Sequence, residues 1–164
     1  MVAPCKYYGV RMGETPTLYE WAGGTDAFVR LTEAFYARVT KDELLGPLFT
    51  RMDPEHARYV AIWLAEVFGG PPAYTEEHGG YPHMVAKHIG MAITEPQRRR
   101  WVNLIQDAAD EAGLPDDPEF RAAFLGYIEW GTRLAHQNSQ PGADVFTEAP
   151  VPHWGWGVAP PYQG

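Results

Sequence analysis

The apolar residues of this 164-residue chain recur at helical spacing, and no stretch shows the strict alternation of a half-buried strand. Phe28, Leu31, Phe35 and Val39 predict a helix capped by Thr25, with Tyr36 on the face that Phe28 defines. Asp53-Pro54-Glu55 predicts the start of another: a capping carboxylate, a proline for the first turn and an acid for the positive end of the helix dipole. Its stripe is Val60, Trp63, Leu64, Val67 and Phe68, His56 falls on the same stripe, and Gly69-Gly70-Pro71-Pro72 closes it. Thr94 and Gln97 have the spacing of a capping box ahead of Trp101, Leu104, Ile105, Ala108 and Ala112, with Gly113 as the stop. Asp117-Pro118-Glu119 opens a last helix bearing Phe120, Phe124, Tyr127, Ile128 and Leu134, whose signal ends at Asn138.

Between these elements the signals are shorter. A first element begins at Thr17 and ends at Gly23-Gly24, and residues 41–53 form a connector containing Gly46-Pro47 and Leu48-Phe49. Residues 71–93 read as loop-rich, with one short helical piece around Met84 to His88 that puts His88 on its apolar side. The expected fold is therefore all-α, with four substantial helices and several short ones. The length suits one domain with a substantial core: an arm at 1–16, a helical domain at 17–139 and an irregular Pro-, Gly- and aromatic-rich tail at 140–164.

Composition narrows the chemistry. A formal charge of −8 and a pI near 5.1 argue against nucleic acid as a partner, since phosphate binding needs clustered Lys and Arg. The tight basic run Arg98-Arg99-Arg100 reads as a solvated helix face. Cys5 is the single cysteine, so no intramolecular disulfide forms, and a reducing compartment is expected. Neither a signal core nor an apolar stretch of membrane-spanning length is evident, so the expectation is a cytoplasmic protein without a membrane partner. The 13% aromatic content suits a large, flat, apolar ligand.

Histidine 88 is the best candidate to hold a metal. Haem iron commonly takes a neutral imidazole as axial donor, presented from an apolar wall that also buries the porphyrin. Tyr36, His56 and Trp101 lie on the inward stripes of three other helices, and one ligand facing three donors describes a haem pocket. Read singly, each has a plainer explanation: Tyr36 bonded to a backbone carbonyl, Trp101 as core, His56 pointing to water from a first helical turn. His78, His83, His136 and His153 read as solvated. Zinc asks for about four clustered ligands, and His83 and His88, five residues apart, do not share a helical face. No Gly-x-Ser-x-Gly elbow, phosphate-cradling glycine loop or His-Glu-x-x-His helix is present, and Glu76-Glu77 and Asp116-Asp117 read as solvated charges.

The ordered set Thr17-Leu-Tyr-Glu-Trp-Ala-Gly-Gly24, Phe35-Tyr36, Phe68-Gly-Gly-Pro71 with Tyr74, Lys87-His88 with Ile93, and Arg100-Trp101 resembles the group II truncated haemoglobins over roughly residues 17–138. The resemblance implies a truncated-globin two-over-two helical sandwich holding haem b, with His88 as the proximal ligand. It implies that Tyr36 and Trp101 are distal donors to a diatomic ligand. Phe49 matches a ring-packing aromatic that is often tyrosine in that group. His56 stands where other members often have a small residue, and so could add a donor, act as a gate or ligate ferric iron. Lys87 and Tyr74 match positions near the haem edge that could meet the propionates, and Val60, Trp63, Leu64, Met84 and Ile93 complete the expected haem contacts. The implied function is reversible binding and transport of dioxygen and other small diatomic ligands. The alternative is a redox enzyme on the same scaffold, turning over nitric oxide or peroxide. The chain has no flavin or nicotinamide motif, so that cycle would need an external reductase as partner. A haem-free helical interaction module is a third reading, and self-association is left open.

Overall fold

Thr17 starts the helical part of the chain with a reciprocal cap. Its hydroxyl accepts from the Glu20 N–H at 3.1 Å, and the Glu20 carboxylate accepts from the Thr17 N–H at 2.9 Å. This opens α1 (Leu18–Ala22) in the computed structural model, which describes residues 14–160. Gly23, at a φ of 109°, ends α1 in a left-handed conformation that a side chain would disfavour. The next helix, α2 (Thr25–Val39), takes Gly24 as its N-cap rather than Thr25. The Thr25 hydroxyl is engaged instead with the Tyr19 hydroxyl at 2.9 Å, so tertiary hydrogen bonding outcompetes the expected local cap. Phe28, Leu31, Phe35 and Val39 are fully buried, as their spacing predicted.

The connector forms one 3-10 turn over Gly46–Phe49, and α3 (His56–Val67) begins later than its capping signal suggests. Asp53 accepts from the Glu55 N–H at 2.8 Å, which closes a separate turn around Pro54 and leaves Glu55 as the N-cap. The loop-rich reading of 71–93 is corrected by two short helices, α4 (Ala73–His78) and α5 (Tyr81–Ala86). Six-residue helices are too short to display a period. Tertiary anchoring fixes the first of them: the buried Glu66 carboxylate of α3 accepts from the Thr75 N–H at 3.0 Å and from the Thr75 hydroxyl.

The capping box at Thr94 and Gln97 opens α6 (Glu95–Glu111) as predicted. Asp117 caps α7 (Pro118–Asn138) through the Phe120 N–H at 2.8 Å, and its other oxygen accepts from the Trp21 indole at 2.9 Å, joining α7 to α1. Helix α2 packs on α3 and on α6, and α6 packs on α7, so the pairs α2/α3 and α6/α7 meet through α2 and α6. Rings link them: Phe68 lies 5.7 Å from Phe28 of α2 and 5.8 Å from Phe124 of α7. Each such buried Phe contributes roughly 1.5–3 kcal/mol of hydrophobic stabilisation. No strand occurs among the described residues, and none of the described helices is long and apolar enough to cross a membrane.

The basic run is only partly the solvated face expected of it. Arg99 is exposed, but Arg98 is 5% exposed because three groups cover its guanidinium. Glu95 pairs with it on both oxygens at 2.7 and 2.8 Å, and Glu129 and Thr132 of α7 meet its third nitrogen at 2.9 and 3.3 Å. Residues 140–160 carry no helix or strand, yet they lie along the helices: Val151 is buried and the Trp154 backbone N–H donates to the Val67 carbonyl at 2.8 Å. The N-terminal arm, Cys5 included, falls outside the described residues up to residue 13.

The Arg98 cluster yields a pH prediction. Hydrogen bonds from Arg98 and then Arg99 hold the Glu95 carboxyl down from its ordinary 4.5 to about 2. A depressed folded-state value means stability that is complete above the unfolded value and lost as pH falls through the folded one. Glu95→Gln should therefore flatten the decline of the thermal midpoint between pH 4.5 and about 2, followed by circular dichroism. The effect should be modest, because the carboxylate is solvent-screened.

Candidate cofactor pocket

Between the end of α2, the 46–53 connector, α3, α5, the start of α6 and the second half of α7 lies a cavity of about 590 Å³. That volume is in the usual range for a cofactor site. All twelve residues nominated from sequence line it: His88, Tyr36, His56, Trp101, Phe49, Val60, Trp63, Leu64, Tyr74, Met84, Lys87 and Ile93.

Histidine 88 sits just past the end of α5, in a turn held by its N–H to the Val85 carbonyl at 3.0 Å. Its Nδ1 lies 2.9 Å from the Met84 carbonyl oxygen. A carbonyl only accepts, so Nδ1 carries the proton and Nε2 of the neutral ring keeps its lone pair. Burial lowers the His88 pKa against the opposing effect of the Met84 contact, which favours that neutral form. An oriented, deprotonated nitrogen at a cavity wall is what a metal centre requires.

Tyr36 and His56 also line this cavity. The Tyr36 hydroxyl is 3.0 Å from His56 Nε2, with the rings edge-on at 5.1 Å. His56 therefore points inward, which its place in the sequence left undecided, and the partner of Tyr36 is this imidazole rather than a backbone carbonyl. Burial raises the Tyr36 pKa, so the phenol stays protonated. Burial first, then the neighbouring His88 and Lys87, lower that of His56, so its ring is held neutral. Two arrangements are open to such a pair: Tyr36 donates to Nε2, or Nε2–H donates to Tyr36 and frees the phenolic proton for the cavity. Phe49 packs 5.7 Å from Tyr36 and 6.0 Å from His56 and brings no hydroxyl. Trp101 stands edge-on to Phe35 at 4.7 Å, and among the described residues no acceptor meets its indole N–H.

Other features were not legible in sequence. The Trp63 indole donates to the Tyr127 hydroxyl at 2.6 Å, a buried bond across 64 residues that two apolar stripes in sequence cannot reveal. His83, partly exposed, lines the cavity, and burial lowers its pKa. His78 is not the solvated side chain expected. The rings of Tyr59, Tyr74 and His83 enclose it at 4.4, 5.1 and 5.4 Å, and its Nε2 is buried without a hydrogen-bond partner among the described residues. His153 is exposed, as expected. Tyr74 is buried edge-on to Trp63 at 5.1 Å, and burial pushes its hydroxyl up to about 12.

These residues fit a haem. The walls are mostly aromatic and aliphatic, one imidazole offers a lone pair, and a phenol, an imidazole and an indole bring polar groups to the same space. Lys87 and Arg51, both exposed at the cavity and without an acidic partner among the described residues, are suited to carboxylates.

The chain matches the bacterial-like globin family over residues 17–129. It is 35% identical over 122 residues to the group 2 truncated haemoglobin YjbI of Bacillus subtilis, covering 74% of this chain and 90% of that protein. Among solved structures, it is similar to the group II truncated haemoglobin of Bacillus anthracis, with a TM-score of 0.68, 27% identity, and 80% and 99% of the two chains covered. It is also similar to the truncated oxygen-avid haemoglobin of Bacillus subtilis, with a TM-score of 0.64, 35% identity, and 72% and 97% covered.

Removing the acceptor that Trp63 finds in the pocket wall should be costly. Tyr127→Phe leaves the buried Trp63 N–H unpaired, and urea unfolding should show a loss of about 1–3 kcal/mol. An unchanged midpoint would mean that another acceptor takes over.

Proposed function

Because the chain belongs to the bacterial-like globin family, with the two-over-two fold of truncated haemoglobins, we propose that it reversibly binds dioxygen and other small diatomic ligands at haem b in this cavity. The observation that carries the reading is the His88 ring, its Nδ1 committed to the Met84 carbonyl and its Nε2 left free, lining the same cavity as the Tyr36–His56 pair and Trp101. Haem b would be held by His88 and would supply a ferrous iron able to take a diatomic ligand.

Every other contribution is made by the chain. Met84 orients the proximal imidazole and keeps its proton on Nδ1. Tyr36 supplies a phenolic O–H that burial keeps protonated, and His56 holds that phenol within 3.0 Å and sets its rotamer. Trp101 supplies an N–H with no competing protein acceptor among the described residues. Phe49, Val60, Trp63, Leu64, Met84 and Ile93 surround the cofactor space with apolar surface, where a hydrogen bond to a partly negative ligand is stronger than in water. Lys87 and Arg51, the exposed cations of the cavity lining, would meet the propionates. The oxygen-avid character of the Bacillus subtilis relative supports this donor-rich reading.

Two substitutions test it. His88→Ala should abolish the Soret band of the reconstituted protein while leaving its far-ultraviolet circular dichroism helical. A retained, unshifted band would transfer the proximal role elsewhere. Tyr36→Phe should speed dioxygen release by about ten- to a hundredfold, the worth of one hydrogen bond of 1.5–3 kcal/mol to a partly charged ligand. Stopped-flow release rates identical to the parent's would remove Tyr36 from the ligand site.

A further inference from the structure

Residues 140–160 lie beyond the segment that matches the family, and the pocket residues alone give them no role. Their course is nonetheless fixed. The root of the tail is tied behind the His88 turn, where the Gln140 side-chain amide donates to the Ile93 carbonyl at 2.8 Å and the Ala92 N–H donates to the Ser139 carbonyl at 2.8 Å. Farther on, the Trp154 N–H takes up the Val67 carbonyl in the last turn of α3 at 2.8 Å, a group that no intrahelical donor reaches.

The Trp154 side chain lies against α7 at Gly126, whose missing Cβ would meet the indole at 3.6 Å. From there it stands edge-on to the Tyr127 ring at 5.7 Å and 66°. Tyr127 is buried and confined on another side by Gly131, where a Cβ would come within 3.4 Å of its ring. Its hydroxyl accepts the Trp63 indole proton at 2.6 Å, and both residues line the pocket. A continuous run of contacts thus leads from the tail through one phenol to the cavity.

We propose that Trp154 is a positioning residue for the haem pocket: it braces the Tyr127 ring so that its hydroxyl holds Trp63 in place against the cofactor. This rests on the haem reading given above. Without the indole, the Tyr127 ring gains room on its outer side, the Trp63 N–H loses the only acceptor it has among the described residues, and the wall loosens. Trp156, two residues on, provides the contrast. It donates to the Pro16 carbonyl at 2.7 Å and packs edge-on to Trp21 at 5.7 Å and near Phe120 at 6.5 Å, touching neither Tyr127 nor the cavity. A tail that merely clamps the fold would use both tryptophans alike.

The test measures haem transfer from the full-length, haem-loaded protein to an excess of a haem-scavenging apoprotein, followed at the Soret band. Trp154→Ala should release haem about three- to tenfold faster, the scale of one lost aromatic contact. Trp154→Phe, which keeps a ring, should fall between it and the parent, and guards against a variant that fails to fold. Trp156→Ala should stay within about twofold of the parent even where its thermal midpoint drops, since it does not border the pocket. Added to Tyr127→Phe, Trp154→Ala should accelerate release no further, because both act through one hydroxyl. In the haem-free protein, exchange of the Trp63 indole proton, read by NMR, should quicken in Trp154→Ala and not in Trp156→Ala. Equal effects of the two tryptophans on haem release and on that exchange would overturn the proposal, as would full additivity with Tyr127→Phe. Parent protein that shows no Soret band would instead overturn the haem reading, and the indole exchange would still decide the role of Trp154.

Discussion

The hydrogen bond from His88 Nδ1 to the Met84 carbonyl decides which nitrogen of the imidazole is free, and the pocket is arranged around that lone pair. The bond is local, one helical turn long, and needs only that α5 end where it does. Its consequence is wide. With Nδ1 committed and the ring half-buried, the neutral form with Nε2 facing the cavity is favoured over the charged one. Tyr36, His56 and Trp101 then gain their meaning from sharing a cavity with that nitrogen. Elsewhere in a helical core each would be a polar group in need of a partner, and two of them supply one to each other.

The sequence revealed most where periodicity was long. The stripes of α2, α6 and α7 and the caps at Thr94 and Asp117 could be read directly, because each is a local preference that the fold does not contradict. The twelve pocket residues were legible through ordered family motifs more than through chemistry, since a lone His or Tyr on an apolar stripe admits plainer roles. What stayed hidden was decided by tertiary partners. Thr25 lost its capping role to Tyr19, α4 depends on a carboxylate from α3, and Arg98 is buried because Glu129 reaches it from α7. In each case the local sequence favours one arrangement, and a group from another element makes another more favourable.

Arg98 also shows how the fold handles charge close to an apolar cavity. A guanidinium at 5% exposure would be costly alone, and here two carboxylates and a hydroxyl take up its donors. The pairing joins the first turn of α6 to α7 at a place where both helices border the cavity. Ion pairing there sets helix position beside the pocket, while the apolar stripes supply most of the stabilisation.

The tail extends the same logic outward. A buried N–H such as that of Trp63 must have an acceptor, and the acceptor must be held at the right distance by something of its own. Tyr127 is held by rings from three elements: Phe68 at 5.3 Å, Trp130 of α7 at 6.1 Å and Trp154 of the tail at 5.7 Å. Gly131 lets its ring lie close to the α7 backbone, and Gly126 leaves the room that the Trp154 indole fills. A segment with no helical period, which pattern reading leaves without a role, thereby becomes the outer support of the pocket.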